Sequence, residues 1–251
     1  MREIVANIEI VSAGVFDPNG YGLLQHQPRI GTVPDFNPRK WIPQKKQIKL
    51  MTRAVQLGVS AVGAAIAQYP DWDLVPPDKR AFFVGASPQS MQGDLDKAFE
   101  HSTQDGSFSL ERFAVEGSTY IHPLWLIKGL SNNILGFASS FWNCQGVNSN
   151  YCDGQNGGWQ AIFEGVYALT ERQADVVLIG ASDDMRVASD LIGREGSEAA
   201  AFVIIRRSES LCKISQEALK PYVQGYGELG AAYWPLALAR AWAQGNLRCS
   251  S

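Results

Sequence analysis

The chain has 251 residues, 45% of them hydrophobic, 10% aromatic and 19% charged, with a formal net charge of −3. A soluble chain of this length buries roughly 70 to 75% of its unfolded surface, which excludes a disordered chain, a collagen-like repeat and a disulfide-stapled miniature domain. With 22 basic residues against 25 acidic ones, and no basic run longer than Lys45-Lys46, the electrostatic footprint of a nucleic-acid-binding protein is missing.

The first residues, Met1-Arg2-Glu3-Ile4, carry an acidic side chain at once and precede no apolar core with a small-residue cleavage site. No signal peptide is expected, and a cytoplasmic location follows as the default. The longest nearly uncharged stretch, Ala54 to Trp72, is interrupted by Gln56, Ser60 and Gln68 and reads as a packed helix rather than a membrane span. Cys144, Cys152, Cys212 and Cys249 show no CxxC spacing and no neighbouring His, so reduced and mostly buried thiols are expected, Cys152 among them as a packed core thiol, and no zinc site.

In chain order, Glu3 to Val15 is rich in β-branched residues and predicts a strand, closed by the turn cluster Asp17-Pro18-Asn19-Gly20. Phe16 to Lys45, rich in Pro, Gly and Gln, predicts a long connecting loop. Between Gln47 and Tyr69 the apolar positions Leu50, Met51, Ala54, Leu57, Gly58, Ala61, Ala65 and Ile66 follow a helical period, and the helix is expected to be buried on most sides. Ala81 to Gly85 predicts a short buried strand, Met91 to His101 a helix begun near Ser90, and Ser102 to Glu116 a polar loop. A helix is expected from about Leu124 to Phe137, with Trp125, Ile127, Leu130, Ile134 and Leu135 on its apolar side. Then follow a strand over Gln145–Tyr151, a helix over Gly157–Gln173, and buried strands over Ala174–Gly180 and Ala199–Arg206. Strands alternating with helices predict a layered α/β fold with a covered sheet. There is no GxGxxG after a strand, no P-loop and no HExxH, so no cofactor is expected.

The segment from Ile121 to Asp184 resembles the central block of β-ketoacyl synthases. In that family a proline opens a helix, a glycine precedes a strand, the strand leads to a nucleophilic cysteine at the head of a glycine-containing helix, and an acidic residue with an apolar run ends in glycine. Pro123, Gly146, the turn at Asp153-Gly154, the helix from Asn156 and Ala174 to Gly180 fill those places, and Gln155, 32 residues after Pro123, occupies the position of the cysteine. A thiol there is activated by the helix dipole and by free backbone N–H groups; a carboxamide cannot become that nucleophile. Gly154-Gln155-Asn156-Gly157-Gly158 is similar to the glutamine motif of chain length factors, the inactive partners of ketosynthases in type II polyketide systems. The condensation chemistry of the family also needs two histidines downstream of the nucleophile, whereas His26, His101 and His122 all precede Gln155.

The resemblance implies a thiolase-like, layered α/β/α fold in a single ketosynthase-like domain over 1–251. Its N-terminal half runs to about residue 207, a remnant of the second half occupies 208–251, and most of that second half is missing. Within the remnant, Val223 to Gly227 is expected to be the first strand of the second half and Tyr233 to Gln244 an Ala-rich segment. Apolar faces are then left for a partner, with Trp234, Leu236, Leu238 and Trp242 as cover for some of them. The implied function is a non-catalytic chain length factor that pairs with a ketosynthase alpha subunit and shapes its acyl tunnel, setting the chain length of a polyketide or an aryl polyene, and meeting acyl carrier protein-bound polyketide through that partner. Met91 and Leu95, with Pro88 a looser match, are the implied gatekeepers, sharing one helix face. Trp125, Leu126, Leu130, Ile134, Val147 and Ser149 are the implied partner-facing residues. Two alternatives stand beside this: a decarboxylating enzyme in which the Gln155 amide binds a malonyl thioester carbonyl, and a scaffold that only stabilises its partner.

Overall fold

The computed structural model describes residues 3–22, 27–87 and 95–250. In chain order the strands are β1 (Glu3–Asp17), β2 (Gly20–Tyr21), β3 (Arg80–Ala86), β4 (Thr103–Gln104), β5 (Ser107–Phe108), β6 (Asn148–Cys152), β7 (Val176–Asp184), β8 (Glu198–Ser215) and β9 (Arg248–Ser250). The α-helices are α1 (Arg53–Ala67), α2 (Asp96–Ser102), α3 (Leu110–Val115), α4 (Trp125–Lys128), α5 (Asn133–Trp142), α6 (Gly154–Thr170), α7 (Ser189–Ile192), α8 (Gln216–Leu219) and α9 (Tyr233–Ala243). The chain forms two units, one of Met1–Pro88 with Ser131–Ser251 and one of Gln89–Leu130.

The larger unit is a mixed sheet in the order β2-β1-β8-β7-β3-β6, with β9 paired to the far end of β8. β8 runs antiparallel to both its neighbours β1 and β7, while β7, β3 and β6 are parallel. Alternation along the strands divides the core into two layers. Phe82, Val84, Leu178, Phe202 and Ile204 meet α1 and α5 on one face. Ala81, Phe83, Val177, Ile179, Val203 and Ile205 meet α6 and α9 on the other. Because both faces are covered, β3 and β7 are buried along their whole length, which is why they read as continuous apolar runs.

The terminal segment is part of this core. Leu236 and Leu238 of α9 are buried, and Trp234 and Trp242 pack against the same cluster, so they cover the sheet of their own chain. Val223 to Gly227 is not a strand: Lys220–Val223 is a 3-10 turn, and Gly225 and Gly227 have φ of +90° and +72°, values that an extended strand does not contain. The first long helix begins later than its apolar period suggests, because Thr52 caps it by accepting from the Val55 N–H at 3.3 Å and Lys45–Leu50 winds as a 3-10 turn. The helix expected over 124–137 is two helices, α4 and α5; the intervening Gly129 to Asn132 contains Gly, Ser and Asn, all weak helix formers.

In the smaller unit the expected polar loop holds a hairpin and a helix. Asp105 and Gly106, both with positive φ, turn β4 back onto β5 as an Asp-Gly pair does in a tight hairpin. Ser109 caps α3 by accepting from the Arg112 N–H at 3.3 Å. His101 stacks on Tyr120 and lies 3.1 Å from Glu116.

Helix α6 crosses from β6 to β7 and packs directly on β3. A Cβ on Gly85 would stand 2.6 Å from Gly158 Cα, one on Gly157 would strike the Tyr151 carbonyl oxygen, and one on Gly158 would strike the Ala231 carbonyl oxygen. Gly158→Ala should therefore lower the unfolding free energy in urea by about 1 to 3 kcal/mol. Gly136→Ala, on the exposed side of α5 with nothing within 4 Å of the added carbon, should raise it by about 0.5 to 1 kcal/mol. Equal effects of the two substitutions would show that the close approach carries no stability.

Candidate functional site

The carboxyl ends of β3, β6 and β7 lie side by side, and the head of α6 stands over them. This is where parallel α/β sheets bind ligands. Ser87 follows β3, Asp183 and Asp184 end β7, and Asp153-Gly154-Gln155 leads from β6 into α6. A cavity of about 330 Å³ here is lined by Ser87, Gly154, Gln155, Met185, Ile192, Arg194, Glu228 and Gly230. A second, of about 480 Å³, shares Gln155, Arg194 and Glu228 and adds Ile30, Glu195, Gly227 and Tyr233.

Gln155 is half-buried, and its Nε2 donates to Glu228 Oε1 at 2.9 Å. The Gly230 N–H donates to the same oxygen at 3.2 Å, and Arg194 lies 3.4 Å from Glu228 Oε2. Backbone hydrogen bonds from Glu228 to Glu195 and from Ser197 to Glu228 fix that carboxylate in place. The Gln155 amide is thus tied to a carboxylate that is itself held by an exposed guanidinium.

Asp183 is buried behind the cavity wall, in contact with Ser87, which lines it. Ser87 Oγ donates to its Oδ2, the Ala231 N–H donates to the same oxygen at 3.0 Å, and the Asp184 N–H donates to Oδ1 at 3.1 Å. Gly230, at φ +52°, passes so close that a Cβ would strike Asp183 Oδ2. Burial raises the carboxyl to about 6; the Ser87, Ala231 and Asp184 hydrogen bonds pull it down, and the neighbouring Asp184 charge adds to the rise. Asp184 is paired with Arg186 at 2.8 Å, and Arg186 and Arg53 both bind the fully buried Glu198, at 3.1 and 2.7 Å.

The other expected site residues are spread more widely. Met91 and Pro88 lie outside the described residues. Leu95 is half-buried at the N-cap of α2, and the stretch from Ser90 to Asp94, over which a helix is expected, lies outside the described residues. Trp125 and Leu126 belong to α4 and Leu130 follows it; Leu126 and Leu130 are exposed. Ile134 is buried in the core beside Gly58 of α1 and does not lie on an outer face. Val147 is exposed just before β6, and Ser149 is half-buried within it. Cys152, expected in the core, is exposed at the end of β6, while Cys144 is mostly buried and its thiol is pushed up to about 12 by burial.

Ser87, Asp183, Arg194, Glu228 and Gly230 were not singled out by the sequence. The one signal among them is Asp183-Asp184 at the end of an apolar run, since an acid closing a buried strand is costly unless partnered. Among the described residues no group of three or more His, Cys, Asp or Glu could hold a metal ion, and no helix is long and apolar enough to cross a membrane.

The folded chain holds the Asp183 proton more tightly than the unfolded chain, whose ordinary value is 3.8. The stability this group contributes is therefore complete below about pH 4 and is lost as pH rises to about 6, a decline of roughly 3 kcal/mol. Urea unfolding between pH 4 and 8 should show that decline, and Asp183→Asn, whose amide does not titrate, should remove it. Parallel profiles for the two proteins would exclude Asp183 as its source.

No protein-family model matches the sequence, and no match is found among curated proteins. Solved structures do match in fold. A type II PKS acyl-carrier protein in complex with its ketosynthase bound to the hexaketide (AntDE:AntF) aligns at a TM-score of 0.62 and 19% identity, over 82% of this chain and 63% of that one. The ishigamide ketosynthase/chain length factor aligns at 0.63 and 16%, over 81% and 59%. A β-ketoacyl synthase from Burkholderia phymatum STM815 aligns at 0.60 and 15%, over 82% and 63%. The chain thus spans about three fifths of the length of these structures, and its fold is that of the thiolase-like ketosynthases.

Proposed function

We propose that this chain is a non-catalytic subunit of the chain length factor type, which pairs with a ketosynthase alpha subunit and helps to shape its acyl tunnel, with acyl carrier protein delivering the polyketide to that partner. The observation that carries this reading is the Gln155–Glu228 hydrogen bond at the head of α6. The resemblance assigns the nucleophile of ketosynthases to this position. Here it is a carboxamide, which cannot form a thioester, and one of its two N–H groups is already engaged by Glu228. β6 supports the pairing: it is the last strand of the sheet, and among the described residues no strand pairs with its outer edge. The exposed Val147 and the half-buried Ser149 lie along that segment.

The same hydrogen bond weighs against the decarboxylase alternative. An amide can stabilise an enolate oxygen only by pointing its N–H at it. In this site a carboxylate oxygen takes one of the two Nε2 hydrogens at 2.9 Å, and an enolate developing at the other would lie beside that like charge. The role of Met91, Leu95 and Pro88 as gatekeepers remains part of the proposal, on the strength of the resemblance alone.

In the reconstituted complex with its ketosynthase, Gln155→Ala should leave most polyketide output intact, and Gln155→Cys should not add a second condensing site. Loss of output from Gln155→Ala while size-exclusion chromatography still shows the heterodimer would favour decarboxylation instead. Condensation of acyl and malonyl thioesters by this chain alone would overturn the reading. Met91→Trp or Leu95→Trp should shorten the product in the assembled complex; unchanged length in both would remove these residues from the tunnel.

A further inference from the structure

Ser87 and Asp183 take no part in the function proposed above, yet Ser87 places a hydroxyl in the cavity wall and Asp183 lies buried directly behind it as an oriented carboxylate. β3 and β7 are hydrogen-bonded neighbours running in the same direction, so their carboxyl ends bring the two residues to one point. Ser87 Oγ donates to Asp183 Oδ2, and the N–H groups of Ala231 and Asp184 hold the carboxylate in position. A hydroxyl bound to a base that is itself oriented by a further group is the arrangement an activated nucleophile needs.

The surroundings suit an acyl carbonyl. Ser87 Oγ lies at the head of α6, 3.9 Å from where a Cβ on Gly154 would stand. The Asp153 side chain caps none of the first N–H groups of α6, and N–H groups in the first turn of a helix have no partner within the helix. Such groups, with the helix dipole behind them, stabilise an oxyanion that forms beside them. The cavity, at about 330 Å³, is at the lower end of the range for small ligands and accommodates a short acyl chain with the end of its thiol arm.

We propose that Ser87 is an acyl acceptor, taking an acyl group from a neutral acyl thioester bound in this cavity, with Asp183 as the base. Ser87 Oγ attacks the thioester carbonyl while Asp183 takes the hydroxyl proton. The C–S bond breaks, the departing sulfur receives that proton as a thiol, and an O-acyl serine remains, with no change of oxidation state and no further reactant. A neutral acyl group is specified because the cavity wall carries the Glu228 carboxylate and, among the described residues lining it, the one cation, Arg194, is already the partner of that carboxylate. The inference does not depend on the chain length factor reading, since acylation of Ser87 requires neither a ketosynthase partner nor Gln155 as a nucleophile.

The test uses hexanoyl N-acetylcysteamine as the thioester with the purified full chain. Intact-mass and peptide mass spectrometry should find one hexanoyl group on Ser87, stable to neutral hydroxylamine as an O-ester is. Asp183→Asn should slow its appearance by about 10²-fold or more, and Cys152→Ala, which removes the exposed thiol, should leave it unchanged. Ser87→Ala should abolish it. Ser87→Cys, which keeps the site filled, should convert the adduct to one that hydroxylamine cleaves. No adduct, an adduct confined to Cys152, or an adduct that persists in Ser87→Ala would overturn the proposal.

Discussion

Helix α6 meets β3 backbone to backbone, and the arrangement of the candidate site depends on that contact. A side chain at Gly85 would push the helix off β3, one at Gly157 would strike the Tyr151 carbonyl of β6, and one at Gly158 would strike the Ala231 carbonyl, all of them main-chain atoms in a packed interior. At the observed distance the first turn of α6 sits directly over the ends of β3 and β7. Ser87 and Gln155 then share one cavity wall, with Asp183 buried behind Ser87. The segment 228–231 is drawn into the same contact through Ala231, whose carbonyl faces Gly158 and whose N–H faces Asp183.

Buried acids mark the contrast between support and site. Asp17 is paired with Arg240, both nearly inaccessible. Glu198 is fully buried and bound by Arg53, Arg186 and the Val33 N–H. Each of these carboxylates has its charge balanced locally, and each ties separate parts of the chain together: Asp17 joins the end of β1 to α9, and Glu198 joins β8 to α1 and to the turn after β7. Removing one partner of such a pair is costly because it leaves an uncompensated charge. Asp183 differs. Its partners are a hydroxyl and two N–H groups, no cation among the described residues pairs with it, and burial raises its carboxyl. A perturbed acid just behind a cavity wall, bound to a hydroxyl that lines it, is the pattern expected of a chemical group more than of a strut.

The thiolase-like fold brings a helix head to this position whatever residue it carries. In this chain the head carries Gln155, and the third element of the neighbourhood, Glu228, turns that side chain from a free polar group into half of a hydrogen-bonded pair. The identity of the residue at a helix head and the identity of its partner are separate facts. The first restricts which chemistry is possible; the second decides whether the group is available for it.

Local pattern accounts for most of the framework. The apolar period of α1, the unbroken apolar runs of β3 and β7, and the Gly-rich start of α6 are all visible in sequence, because helix and strand periodicity and helix termini are properties of neighbouring residues. The Asp105-Gly106 hairpin was equally open to local reading, since that dipeptide turns a strand by its own φ preference. Gly225 and Gly227 likewise stood in the sequence against a strand at Val223 to Gly227. By contrast, nothing local joins Ser87 to Asp183, Gln155 to Glu228, or Gly158 to Ala231, and the exposure of Cys152 and burial of Ile134 follow from which face each element turns to the sheet. The sequence by itself determined the elements, the absence of a thiol at the head of α6 and the small residues that permit close contact. Only the tertiary structure decided which distant side chains share the cavity and which carboxylates have cations, because those depend on how strands far apart in the chain lie beside one another.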